Sequence, residues 1–304
     1  MKCTKCGGDC KEISKDLFKC KYCGSEYEKE PAKATKASED VKVEKVPPVK
    51  TTVVENPKLG GDAIYEAYKD SIYEIFDVKK NTIEACATGF FASKTNFMVT
   101  NAHAVLDGNG KVYDTVLVKI NNNKYEALVV GYGSPASVNP KSVDLALLFV
   151  KKPPKFSVAK LGDSSKCKNG QKVYLIGNSL GEGVCITSGI ISDANRKSGN
   201  LSHSYIMTDA AANQGNSGGP LIDEYGKTIG VLVAGIDGAK GMNYAIPVNT
   251  LKQFVNDVQI QSGLPRKYFG ELFDNAKTYS QQTSKTLITI DKDVVNYITK
   301  NLII

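Results

Sequence analysis

The sequence predicts an all-β fold, an antiparallel barrel or sandwich with short helices at its flanks. Short runs of β-branched and aromatic residues recur between residues 71 and 236, among them SIYEIF, TIEACATGFFAS, TVLVKI, YEALVVGY, KVYLIG, YIMTDAA and TIGVLVAGI. Turn residues separate many of them, as at Lys79-Lys80-Asn81, Asp107-Gly108-Asn109-Gly110 and Asn121-Asn122-Asn123. Many short strands joined by Gly and Asn turns favour antiparallel pairing over a parallel α/β sheet. The composition allows such a core: of 304 residues, 41% are hydrophobic and 23% charged, which excludes wholesale disorder. The net charge of +7 is dispersed, so it does not by itself argue for nucleic acid or an anionic membrane. The longest apolar run, Ile229 to Ile236, falls far short of the roughly 18 residues of a spanning helix, and no membrane association is expected.

The amino terminus is built differently. Cys3, Cys6, Cys20 and Cys23 form C-x2-C-x13-C-x2-C, and Gly7 and Gly24 follow the pairs. Four thiolates at this spacing close a tetrahedral zinc shell, and a segment of about 25 residues cannot fold on a hydrophobic core alone. Residues 1–28 are therefore expected to be a zinc ribbon holding one structural zinc ion. Two disulfides or a redox C-x-x-C are the rival readings. No secretory pattern opens the sequence, so a reducing cytoplasm is the expected compartment, and it disfavours both. Cys10 is expected to be a spare exposed thiol, and Cys86, Cys167 and Cys185 small core residues. The ribbon is read as a docking or structural module. Its mixed charges and few aromatic residues disfavour nucleic acid.

Residues 29–60 alternate charges, carry four prolines and lack aromatic residues, which predicts a disordered linker. Asp62 is expected to cap a short helix reaching Lys69. The strand-like runs follow, and residues 61–260 are taken as one domain. Asn249 or Thr250 is expected to cap a closing helix with Leu251, Phe254, Val255 and Val258 on its inner face. Residues 261–304 are an extension of unassigned role, expected to be helical over 291–301, and a second candidate docking surface.

Three islands carry chemistry: Thr100-Asn101-Ala102-His103, Val143-Asp144-Leu145 and Gly215-Asn216-Ser217-Gly218-Gly219. Glycines around a serine let backbone amides converge on one point, as an oxyanion hole at Gly215 and Ser217 requires. No G-K-[ST] follows, so a phosphate loop is excluded. The hydroxyl needs a base. Of the two histidines, His103 ends a strand-like run, whereas His203 in GNLSHSY is expected at the surface. Asp144 opens an apolar run, where a carboxylate is costly without a partner, and an imidazole is such a partner. Asp107 and Asp163 compete for that role but lie in glycine-containing turns.

With these residues in the order His, Asp, Ser, residues 62–258 resemble the protease domain of the HtrA-like (Deg) trypsin-fold serine proteases. TNAHAV, DLALL, LGDSSKCKNGQKVYLIGN, CITSGIIS, TDAAANQGNSGGPL and YAIPV all match in order. The resemblance implies a chymotrypsin-like pair of six-stranded β-barrels with the site in the cleft between them. It implies Ser217 as nucleophile, His103 as general base and Asp144 as its orienting carboxylate. Val233, Ala234 and Gly235 would pair with a protein or peptide substrate, while Ala211 and Ala212 would line the specificity pocket. Ala211 stands where trypsin-like specificity needs an aspartate, so a small or medium aliphatic residue is expected before the scissile bond, with Met242 narrowing the floor. No catalytic cofactor is implied. The residues after the closing helix are too few for a PDZ domain, so peptide gating of that kind is not expected. A catalytically latent peptide-binding module and a nucleic-acid-associated factor are the alternatives to an active endopeptidase.

Overall fold

A computed structural model describes residues 10–14, 17–21, 26–28, 57–79, 82–135, 137–197, 203–235, 241–273 and 288–301. Contacts divide the chain into two units, Met1–Val54 and Glu55–Ile304. The first contains an antiparallel sheet of β1 (Cys10–Ser14), β2 (Leu17–Cys20) and β3 (Glu26–Glu28). Cys10 pairs with Cys20 and Phe18 with Tyr27, and Lys19 bridges to Glu26 at 2.9 Å. Cys10 is half-buried rather than exposed. Cys3, Cys6 and Cys23 lie outside the described residues, as does the linker up to residue 56.

The second unit opens with α1 (Gly61–Tyr68), for which Gly60 is the cap and Asp62 lies in the first turn. The helix thus starts two residues earlier than an Asp62 cap would place it. Tyr68 locks it down: its hydroxyl, inside the protein, meets the carbonyl of Gly226 and Oγ1 of Thr228, each at 3.1 Å. A first six-stranded barrel follows, made of β4 (Ile72–Lys79), β5 (Thr82–Phe91), β6 (Phe97–Thr100), β7 (Thr115–Ile120), β8 (Asn123–Tyr132) and β9 (Ala146–Val150). It closes through pairing of β9 with both β6 and β8. The turn between β7 and β8 has φ of 49° at Asn121 and 64° at Asn122, the left-handed pair that a two-residue hairpin needs and asparagine tolerates.

The second barrel runs β10-β11-β12-β15-β14-β13, comprising β10 (Lys172–Asn178), β11 (Val184–Arg196), β12 (Tyr205–Thr208), β13 (Pro220–Asp223), β14 (Thr228–Gly235) and β15 (Asn243–Pro247). The architecture is therefore the expected double antiparallel barrel. Each barrel has its own apolar cluster, and a larger third cluster joins them. It takes in Phe90, Val99 and Leu147 from the first barrel and Tyr174, Ile176 and Ile246 from the second.

The closing helix α2 (Val248–Ser262) adds Phe254 and Val258 to that shared core. Pro247 rather than Asn249 or Thr250 precedes it, because Asn249 is engaged elsewhere, with Nδ2 donating to Asp163 at 2.9 Å. Beyond it, β16 (Thr289–Ile290) pairs with the free end of β8, and α3 (Lys292–Asn301) buries Ile298. The helix expected at 291–301 thus begins at 292, capped by Asp291, whose carboxylate accepts from the amides of Asp293 and Val294. Cys167 is half-buried, but Cys185 is exposed on β11 and not a core residue. Among the described residues no helix is long and apolar enough to cross a membrane.

Candidate active site

His103 lies just past β6, and Asp144 precedes β9, the strand paired with β6 through Thr100 and Ala146. Pairing therefore carries the two islands to one end of the first barrel. Both carboxylate oxygens of Asp144 are fixed by His103: Oδ1 accepts the backbone amide at 2.9 Å and Oδ2 faces Nδ1 at 2.7 Å. Asn101 Nδ2 donates to the Asp144 carbonyl at 2.8 Å, holding the backbone from the other side. Asp144 is only 4% exposed while the His103 ring is 36% exposed, so the carboxylate is buried behind the imidazole. A proton on Nδ1 directed at the carboxylate leaves Nε2 free to accept one. Burial opposes the protonated ring, yet the hydrogen bond and charge of Asp144 outweigh it and raise the His103 pKa above 6.5.

Ser217 comes from the second barrel, in the turn that leads into β13. That turn leans on the first barrel. The Thr88 amide donates to the Ser217 carbonyl at 2.8 Å, and a Cβ on Gly218 would fall 2.4 Å from Thr100 Oγ1, three residues before His103. The Ser217 hydroxyl donates to the Val233 carbonyl at 2.6 Å, so Val233 rather than His103 takes its proton in this arrangement. Rotation about χ1 would redirect it.

The amide of Gly215 is oriented by its neighbours. The Gln214 carbonyl accepts from Leu180 at 2.8 Å, and a trans peptide points the following N–H the opposite way. The Gly215 carbonyl accepts Thr88 Oγ1 at 2.7 Å. Gly215 has φ of +95°, and a Cβ there would sit 2.1 Å from the Asn178 carbonyl, so glycine is required. Among the described residues no acceptor takes the amides of Gly215 or Ser217. Two open donors in a rigid turn beside a hydroxyl are what a developing oxyanion needs.

Beyond its last rung with β13, at Pro220 and Val231, the stretch Val233–Gly235 has no strand partner on that edge among the described residues. Ala234 and Gly235 pair with Tyr244 and Asn243 on the other side, which leaves one edge for an extended peptide. Ala211 is exposed and its carbonyl accepts Thr187 Oγ1 at 2.7 Å; Ala212 and Met242 are half-buried. The nearest carboxylate in sequence, Asp209, accepts the Ile190 amide at 2.7 Å. The competing carboxylates are occupied as turn caps, Asp107 by the amides of Asn109 and Lys111, Asp163 by Ser165 and Asn249.

His203 departs from expectation. It is half-buried, its ring lies 4.8 Å from that of Tyr205, and burial drives its pKa down to about 4 against the opposing charge of Asp144. A polar loop sequence hides this, because the folded chain turns the ring inward. Thr88 escaped the sequence reading altogether. Fully buried on β5, it donates to the Gly215 carbonyl, accepts from the Asn178 amide at 2.8 Å, and its own carbonyl accepts from Thr100 Oγ1 at 2.8 Å. The available signal was a hydroxyl beside glycine in the apolar second half of the strand.

Comparison with known proteins fits this geometry. Residues 87–231 match the model of the trypsin-like peptidase domain. Over 187 residues the chain is 38% identical to a protein of Bartonella henselae named as a DegP-like periplasmic serine endoprotease, covering 60% of this chain and 35% of that protein. The chain contains a trypsin-like peptidase domain similar to the HtrA-like serine proteases. A do/HhoA-like periplasmic protease of Haemophilus influenzae is 36% identical over 200 residues, covering 62% of this chain and 40% of the relative. The crystal structure of the Yersinia pestis serine endoprotease superposes with a TM-score of 0.52 at 25% identity, covering 66% of each chain. The HtrA-type protease AlgW, solved with a tripeptide, gives 0.54 at 26% identity, covering 66% of this chain and 63% of that one. The chain spans little more than a third of the curated relatives' length. Their names overturn the cytoplasmic expectation, because these relatives are named as periplasmic. An address is read apart from the folded domain, so the barrel sequence carries no compartment signal.

Proposed function

We propose that the chain is a serine endopeptidase that cleaves protein substrates through Ser217, His103 and Asp144. Ser217 Oγ attacks the scissile carbonyl carbon as His103 Nε2 takes its proton. The carbonyl oxygen, now negative, accepts from the amides of Gly215 and Ser217. Collapse expels the amine, which takes the proton from His103, and leaves an acyl group on Ser217. Water then repeats the sequence and frees the enzyme. Asp144 holds the proton on Nδ1 and stabilises the ring while it is charged. The observation that carries the reading is the two-point clamp of Asp144 on His103, with Ser217 and two open amides across the barrel interface.

The substrate strand would lie along Val233, Ala234 and Gly235 with its residue before the scissile bond against Ala211 and Ala212. With Asp209 held by the Ile190 amide and alanine at 211 and 212, small or medium aliphatic residues are favoured over basic ones. Hydrolysis of an unfolded protein and of a peptide panel tests this. Wild type should cleave after aliphatic residues and Ser217→Ala should not; equal rates in both would remove the hydrolase reading. One observation favours a latent peptide-binding state, the Ser217 hydroxyl turned to Val233. A fluorophosphonate probe that never labels Ser217 would support that alternative.

We further propose that Cys3, Cys6, Cys20 and Cys23 hold one zinc ion and that the ribbon is a docking or structural module. Strand order supports this. Cys20 ends β2 opposite Cys10 at the start of β1, and in the sequence Cys6 stands four residues before Cys10 and Cys23 three after Cys20. Zinc there would supply folding free energy, not catalysis.

A further inference from the structure

On the second barrel, away from the glycine-rich turn, a surface groove of about 570 Å³ is lined by Lys58, Lys166, Lys168 and Lys172. They converge from the segment before α1, from the loop ahead of β10 and from the first residue of β10. The carboxylates nearby are already engaged. Glu224 pairs with Lys58 at 2.8 Å, Asp163 accepts from Ser165 and Asn249, and Asp223 accepts the amides of Tyr225 and Lys227. Lys166 lies at 3.9 Å from Asp163, a loose contact. Among the described residues no acceptor reaches the ammonium of Lys168, and that of Lys172 rests 5.3 Å over the ring of Tyr174. The groove is therefore left with uncompensated positive charge, and Gln171 and Asn169 add amide groups to its wall.

We propose that this groove is an exosite for an acidic segment of the polypeptide substrate; the proposal rests on the endopeptidase reading and adds a substrate class to it. Charge complementarity calls for an anion, and the wall decides between anionic polymers. Nucleic acid would be held by bases stacked on aromatic faces. Here Tyr174 is buried beneath Lys172, and only Tyr225 offers part of a ring. Ammonium groups with side-chain amides suit carboxylates and peptide groups instead. β10 links the two places: it begins at Lys172 in the groove and ends at Asn178, whose carbonyl abuts Gly215. Seven residues at about 3.3 Å each span roughly 20 Å, so an extended segment some six to ten residues from the scissile bond would reach the lysines.

The test uses the full chain carrying Ser217→Ala and a fluorescein-labelled peptide of ten residues rich in glutamate. Anisotropy should show binding that weakens with salt and falls about tenfold in the Lys168→Glu, Lys172→Glu double variant. In the active protein, a substrate with an acidic extension should show a lower KM than the bare peptide, and the double variant should erase that advantage while cleaving the bare peptide at the wild-type rate. Equal binding by parent and double variant overturns the exosite, as does tighter binding of a single-stranded DNA of equal charge. The binding arm needs no turnover. Charge-dependent binding without cleavage of any peptide would leave the groove standing and remove the endopeptidase reading instead.

Discussion

His103 is the residue whose state sets the proposed activity. It must be neutral to accept the Ser217 proton, and Asp144 raises its pKa above 6.5 despite burial. Activity should therefore rise with pH through a midpoint above 6.5, measured as kcat/KM on a peptide. The same shift means that the ion pair contributes stability below the unfolded pKa and loses it as pH climbs through the folded one. Asp144→Asn should lower kcat about 10⁴-fold, since the ring loses its tautomer and its counter-charge. Thr88 is a positioning residue, touching no substrate but clamping Gly215 and Asn178 from the opposite barrel. Thr88→Val keeps the shape and orphans both partners, at about 1–3 kcal/mol each. We expect kcat to fall with KM little changed, and Thr88→Ser to restore it. A valine variant with wild-type kcat would show that the clamp is dispensable.

Among the elements, β16 and α3 matter beyond their size. β16 extends the sheet at the end of β8, and Gly131 there leaves no room for a side chain, since its Cβ would meet Ile290 Cδ1 at 2.9 Å. Ile298 of α3 is wholly buried in the core shared by both barrels. The extension is thus part of the folded unit. Ile298→Ala should cost about 2–4 kcal/mol by the methylene and cavity terms, read from urea unfolding. A cost under about 0.5 kcal/mol, as at a surface site, would show that the helix does not share the core.

For the whole molecule, the open question is how the small sheet at the amino terminus folds. A sheet of three short strands is small enough that a metal or disulfides would be expected to supply its folding free energy. The periplasmic relatives make that choice sharper, because an oxidising compartment permits disulfides. We expect about one zinc per chain by metal analysis, lost on replacing Cys3 and Cys20 together. Metal-free protein without free thiols at these cysteines would assign the pairs to disulfides.

Local pattern sufficed for much of this. Alternation and turn residues marked most strands, the Asn121-Asn122 turn among them, and the three islands named His103, Asp144 and Ser217 because each breaks its surroundings: a histidine at a strand end, a carboxylate entering an apolar run, a serine among glycines. The cap at Pro247 was misjudged because Asn249 spends its amide on a distant aspartate, and the cap at Gly60 was placed two residues late, at Asp62. His203 and Thr88 were misread or missed for a related reason: their roles are set by neighbours far away along the chain.

Chain order and residue type predicted an antiparallel barrel or sandwich, the three islands and the cysteine framework, and the resemblance to HtrA-like proteases implied the double barrel and the proposed roles of the reactive groups. Only the tertiary structure decided which amides stay open, that Thr88 braces the Gly215 turn from the other barrel, and that four scattered lysines share one groove. The reason is physical. Periodicity and side-chain chemistry are local properties, whereas hydrogen-bond partners and summed charge depend on segments brought together only when the barrels close.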